Sequence, residues 1–162
     1  MRDVTLIYCI KGEDVLLGMK KRGFAKGKLN GYGGKVESNE QITDAVIREL
    51  FEESSIEANK EKLNKVAEID FYFKDLPKEK DWNQKVHVFF LKDWEGEPIE
   101  TEEMKPFWCH YKEFPYEKMW IDDKYWLPLV FEGKKLKASF VFSGEGDSIY
   151  SHEIIETSFD SD

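Results

Sequence analysis

The stretch Gly34 to Ile56, GKVESNEQITDAVIRELFEESSI, decides how this chain is read. Ile42, Ala45, Val46 and Leu50, with Ile47 at the margin, fall at helical spacing and form one apolar stripe. Ser38-Asn39-Glu40-Gln41 fits a capping box, so the pattern predicts a helix that starts at Ser38 and runs to about Ser54. On that helix Glu49, Glu52 and Glu53 stand at i, i+3 and i+4 and share a face. Three carboxylates this close repel one another, and they sit at the helix end where the dipole is already negative. A divalent cation would resolve the conflict. Hard oxygen ligands suit magnesium or manganese, which bind through a few carboxylates, water and substrate phosphates. A solvated acidic face is the commoner explanation of an isolated ELFEE, so spacing alone leaves both readings open.

Upstream, Val4 to Ile10 and Val15 to Lys20 read as strands joined by the polar turn Lys11 to Asp14. Five glycines between residues 23 and 34 imply special backbone angles or the close approach of a ligand. Lys20, Lys21, Arg22, Lys26 and Lys28 concentrate positive charge in the same region, facing either phosphates or solvent. Downstream, Val66 to Phe73 and Lys85 to Leu91 read as strands across a polar connection, Asp75 to Gln84. Asp122 to Phe131 reads as a second helix, and Lys137 to Phe142 with Ser148 to Ile155 as a closing hairpin over residues 144–147. No repeat or linker divides the chain, so residues 1–156 are expected to form one domain and the acidic tail 157–162 to fray.

Composition bounds the partners. A net charge of −9 works against binding polymeric nucleic acid, which needs a basic surface, so a nucleotide partner should be a small molecule. No apolar run is long enough to span a bilayer and no signal-like segment opens the chain, so a cytoplasmic protein without a membrane partner is expected, and a monomer. Cys9 and Cys109 are too few for a disulfide framework; Cys9 lies in an apolar run where a buried thiol is the ordinary occupant.

Taken whole, the spacing is Gly34, five residues, Glu40, seven residues, Arg48-Glu49-Leu50, one residue, Glu52-Glu53, then apolar Ile56. This resembles the Nudix box at every charged position. One position departs: Ser55 stands where the family has glycine, and a left-handed helix end there would cost about 1 kcal/mol. Leu16 to Phe24 (LLGMKKRGF), Asn30 to Val36 (NGYGGKV), Val86 to Phe89 (VHVF) and Met119 to Asp123 (MWIDD) further resemble the animal-type MutT-homologue oxidised-purine nucleoside triphosphatases.

That resemblance implies an α+β Nudix fold, a mixed β-sheet packed between helices as an α/β/α sandwich. It implies hydrolysis of oxidised purine nucleoside triphosphates such as 8-oxo-dGTP and 2-hydroxy-dATP to monophosphate and pyrophosphate. Magnesium, with manganese as a possible substitute, would be held by Glu49, Glu52 and Glu53, with Glu103 as a further ligand or base and the backbone of Gly33 or Gly34 assisting. Glu53 is the preferred essential carboxylate, while Arg48, four residues from Glu52, is read as its orienting partner and Glu40 as completing that network.

For the base, Asn30 would bond its edge, Phe24 and Trp120 would flank its face, and Asp122 and Asp123 would read its Watson–Crick edge. Thr5, Lys20, Phe71 and Met104 would line the pocket, with Phe73 and Trp126 as weaker candidates. Adjacent carboxyls in a partly apolar pocket can keep one proton and so offer both a donor and an acceptor. Against these roles stand plainer ones: Asp122 as a helix cap, and Trp120 and Phe24 as core. Competing activities are a Nudix hydrolase for a dinucleoside polyphosphate, nucleotide sugar or RNA cap, and a catalytically silent nucleotide-binding module.

Overall fold

In a computed structural model of the chain, which describes residues 1–159, the apolar runs become the strands of one eight-stranded mixed sheet. The strands are β1 (Arg2–Lys11), β2 (Asp14–Lys20), β3 (Leu29–Asn30), β4 (Asn64–Phe73), β5 (Gln84–Leu91), β6 (Met104–His110), β7 (Lys135–Ser143) and β8 (Ser148–Thr157). Helix α1 spans Ile42–Ser54 and α2 spans Asp123–Phe131. The order is β3-β2-β1-β5-β4-β7-β8, with β6 on the other edge of β2. β1 runs parallel to β5, opposing Thr5 to His87, and β4 runs parallel to β7, opposing Phe71 to Phe140; the other pairs are antiparallel.

Both faces of the central strands are covered, which is why β1 reads as a continuous apolar run rather than an alternation. Leu6, Tyr8 and Ile10 point into one core with Trp126, Leu127 and Val130 of α2. Ile7 and Cys9 point into the other with Val46 and Leu50 of α1. The result is the expected sandwich, with one helix on each face. The tail expectation is shortened at its start, because Thr157 still pairs with Lys135 in β8; residues 160–162 lie outside the described residues.

The start of α1 differs from the capping-box expectation. Gln41 holds the N-cap position without a side-chain cap, and Asn39 adopts a left-handed backbone (φ 65°). Glu40 turns its carboxylate to the Glu37 N–H at 3.0 Å and to Arg48 at 2.8 and 2.9 Å. A helix beginning at Ser38 would carry Glu40 about 12 Å along the axis from Arg48, out of reach, so the ion pair displaces the capping box. β6 has no counterpart among the strands read from the sequence; it pairs with β2 alone, and its edge position is where a proline such as Pro106 is tolerated.

The C-terminus of α1 follows expectation. Ser55 is left-handed (φ 67°, ψ 10°) and its N–H donates to Phe51 O at 2.8 Å, the conformation glycine would adopt without strain. Ser55→Gly is therefore expected to raise the melting temperature by roughly 2–4 °C for each kcal/mol of strain relieved, less what added flexibility of the unfolded chain takes back. Calorimetry in which the variant melts at or below the parent temperature would reject the strain argument.

Candidate active site

The acidic end of α1 is organised by Arg48. Its guanidinium donates to Glu49 at 2.9 Å, to Glu52 at 3.1 Å, to both oxygens of Glu40 and to the carbonyl of Lys35 at 3.1 Å. Hydrogen bonding by Arg48 pulls Glu40 down to about 2, so the anchor of the network stays ionised. Glu53 lacks such a partner. One of its oxygens accepts the Gly33 N–H at 2.9 Å, yet burial first, and the charges of Glu49 and Glu103 second, push its carboxyl up to about 8. Burial also raises Glu49 despite Arg48.

The glycine loop explains the closeness. Gly31 to Gly34 runs beside β1, where Thr5 N–H donates to Gly34 O at 2.8 Å and Ile7 exchanges backbone bonds with Tyr32 at 2.7 and 3.1 Å. The Thr5 hydroxyl closes the clamp, 3.2 Å from both the N–H and the carbonyl of Gly34. Any side chain at Gly33 would strike the Thr5 carbonyl, and a Cβ at Gly34 would lie 2.5 Å from the Glu49 carboxyl carbon. Part of the glycine density thus serves contact within the chain, bringing the loop's N–H groups against the carboxylates.

These donors fit a divalent cation. They are hard oxygens, and Glu53 carries a carboxyl whose ionisation the protein itself opposes, the condition a bound cation reverses. Among the described residues no three acidic, His or Cys side chains are already drawn into a ligand sphere.

Beside the loop opens a cavity of about 500 Å³. Thr5, Lys20, Phe24, Asn30, Gly33, Gly34, Phe71, Trp120, Asp122 and Asp123 all line it, as do the weaker candidates Phe73 and Trp126. Met104 does not. At the head of β6 it turns to the α1 face, packed over Gly18, where an added Cβ would lie 2.5 Å from the Met104 methyl. Glu103 lies outside the cavity with its carboxylate on Arg22, which holds it below the usual range.

Asp122 and Asp123 are the buried charged groups of the cavity, 4% and 2% exposed. Asp122 occupies the N-cap position of α2 but makes no capping bond; it accepts the Trp126 indole N–H at 2.8 Å instead, which sets aside the plain helix-cap reading. Asp123 Oδ2 is buried without a partner among the described residues. Burial raises both carboxyls, and for Asp123 the neighbouring charge of Asp122 drives it well above the ordinary range. Burial and mutual repulsion therefore favour a proton shared by the pair, and Asp123 is the more strongly raised of the two.

Trp82 is a lining residue that sequence reasoning passed over. Its ring stands 5.2 Å from Phe24, which is 5.7 Å from Trp120, and 5.5 Å edge-on from Phe73. A lone tryptophan in the otherwise polar connection before β5 was the available signal, since such a side chain is not left in water without reason. The flanking aromatics Phe24 and Trp120 are not core: Phe24 is 57% exposed at the mouth.

Known proteins resemble this one in sequence and in shape. The model of the NUDIX domain matches residues 1–130. The oxidized purine nucleoside triphosphate hydrolase of Mus musculus is 41% identical over 152 residues, covering 94% of this chain and 93% of that protein. The protein of the same description from Danio rerio is 41% identical over 153 residues, 94% of each. Among solved structures, the MutT protein of Bacillus halodurans superposes with a TM-score of 0.79 at 22% identity, over 95% of this chain and 97% of that one. A bifunctional NMN adenylyltransferase/ADP ribose pyrophosphatase of Francisella tularensis reaches 0.61 at 22% identity, over 82% of this chain and 41% of its own. At that identity the structural likeness concerns the fold alone.

Proposed function

This chain belongs to the NUDIX family, and from that premise we propose that it hydrolyses oxidised purine nucleoside triphosphates, such as 8-oxo-dGTP and 2-hydroxy-dATP, to the monophosphate and pyrophosphate. The observation that carries the substrate class is the buried Asp122–Asp123 pair in a cavity that opens beside the carboxylate helix. A pair that presents one donor and one acceptor meets a purine edge whose own donor and acceptor pattern oxidation has altered. The two relatives named above are described as oxidized purine nucleoside triphosphate hydrolases.

In this reading the base enters between Phe24 and Trp120, against Phe71, with Asp122 and Asp123 on its Watson–Crick edge. Asn30 has its carboxamide oxygen fixed by the Gly31 N–H at 2.9 Å, which leaves its NH2 to meet the base. Lys20 lines the cavity and offers charge to the phosphates. Glu49, Glu52 and Glu53, with Glu103 and the backbone of Gly33 and Gly34, would hold magnesium, for which manganese could substitute. When bound, the ion withdraws charge from the phosphate oxygens and acidifies water. Arg48 holds Glu49 and Glu52 in orientation, and the Gly33 N–H holds Glu53. Water would then attack the β-phosphorus and the bond from it to the α,β-bridging oxygen breaks; nucleoside monophosphate departs with that oxygen, and the β- and γ-phosphates are released as pyrophosphate carrying the oxygen of the water. On this reading the protein acts as a cytoplasmic monomer on a small-molecule nucleotide.

A magnesium-dependent hydrolysis panel tests the proposal. With 8-oxo-dGTP, 2-hydroxy-dATP, dGTP, dATP, ADP-ribose and a dinucleoside polyphosphate as substrates, kcat/KM is expected to be highest for an oxidised purine, with equimolar monophosphate and pyrophosphate. Preference for ADP-ribose or the dinucleoside polyphosphate would overturn the substrate class. Absence of hydrolysis throughout would leave a binding module.

A further inference from the structure

Helix α1 ends with four carbonyls, those of Phe51, Glu52, Glu53 and Ser54, that no later helical N–H can reach. Ser55 N–H serves Phe51 at 2.8 Å, and Ile99 N–H serves Ser54 at 3.0 Å. The carbonyl of Glu53 is served by a side chain: the Thr101 hydroxyl donates to it at 3.1 Å. The Thr101 hydroxyl oxygen in turn accepts the backbone N–H groups of Glu103 and Met104, both at 3.3 Å, while Thr101 N–H closes the turn on Met104 O at 3.0 Å. One hydroxyl thus joins the main chain of Glu53 to that of Glu103, 50 positions apart in sequence.

A second tether holds this joint against the sheet. Lys21 Nζ donates to Thr101 O at 2.7 Å and pairs with Glu100 at 2.8 Å, and Lys21 N–H donates to Glu103 O at 3.0 Å. The loop before β6 is therefore fixed at its base by Lys21 and aimed at α1 by Thr101. Glutamate side chains have several rotatable bonds, so two carboxylates can converge on one ion only if their main chains are held in register.

We propose that Thr101 is a positioning residue, whose hydroxyl sets Glu53 and Glu103 at the separation needed to bind the catalytic divalent ion together. This rests on the reading of those two carboxylates given above. Thr101 touches neither substrate nor ion; it acts through the backbone of both glutamates. The contacts that link the two glutamates all run through the Thr101 hydroxyl, so a variant that keeps the shape and loses the oxygen separates the proposal from simple packing.

Thr101→Val keeps the shape and removes the hydroxyl. It is expected to weaken Mn2+ binding, read by electron paramagnetic resonance of the free ion, by about tenfold, and to lower kcat by about tenfold at unchanged KM. Thr101→Ser should restore both to within about twofold of the parent. Assays run well below the melting temperature of each variant; if the valine variant does not fold, Thr101→Ala against Thr101→Ser isolates the same oxygen. Parental Mn2+ affinity and kcat in the folded valine or alanine variant would overturn the proposal, as would equal impairment of the serine variant. Glu53→Gln is measured alongside. If it too binds Mn2+ and turns over like the parent, the reading of the site itself fails; if it alone is impaired, only the role of Thr101 does.

Discussion

Glu53→Gln should lower kcat on the order of 10³-fold or more while raising the melting temperature of the metal-free protein. Both effects follow from one side chain. The catalytic loss reflects removal of a charged ligand, since charge stabilisation by a bound ion is worth several kcal/mol and each 1.36 kcal/mol is a factor of ten. The gain in stability comes from burial. With its carboxyl pushed from 4.5 to about 8, Glu53 favours folding most when protonated; that contribution is complete below the unfolded value and is lost as pH rises through about 8. Glutamine is neutral at every pH, so the advantage of the variant should grow from pH 6 to pH 9. Magnesium should stabilise the parent by mass action and the variant far less, and EDTA should erase the difference it makes. Parental turnover in the glutamine variant, or a melting temperature that falls with rising pH equally in both proteins, would reject the assignment.

Asp123→Ala is expected to reduce kcat/KM for an oxidised purine by about 10²-fold with kcat changed little, because a buried donor to the base is lost and its partner is left unpaired. The pH profile is the sharper test. In the proposed reading the pair keeps one proton to bond the base, so KM should rise on the alkaline side, where the raised carboxyl of Asp123 ionises and ceases to donate. Asp123→Asn keeps a donor that does not titrate, so its alkaline limb should flatten while binding is partly retained. An alanine variant with parental KM, or an asparagine variant with the parental limb, would show that the pair does not read the base.

Much of this molecule was legible before its structure. Six strands and two helices follow from apolar patterning, some ends unmoved and the start of α1 shifted by four residues, and the carboxylates of α1 point to a metal only once the whole box pattern is read rather than from their spacing alone. What patterning misplaced depends on side chains that act across the fold. The start of α1 is set by Glu40 reaching Arg48 rather than by its neighbours Ser38 and Gln41. β6, which pairs with β2 alone, has no counterpart among the strands read from the sequence, and it fixes Met104 on the α1 face, away from the cavity where the resemblance put it. Trp82 was overlooked because its neighbours are polar and its partners, Phe24 and Phe73, lie elsewhere in sequence. Asp122 and Asp123 were visible as a pair, but their burial, which gives them their chemistry, comes from strands and a helix remote from them in sequence.

The sheet itself acts as a partition. The proposed recognition groups, Asp122 and Asp123 with Phe71, sit with α2 on one side, and the carboxylates proposed for hydrolysis sit with α1 on the other. The two sides meet where the Gly31–Gly34 segment runs beside β1 and carries a backbone N–H to Glu53. Such a layout separates the inheritance of chemistry from the inheritance of taste: residues of the α2 chamber can be exchanged over evolutionary time, admitting a different base, while the cleavage apparatus passes down unaltered.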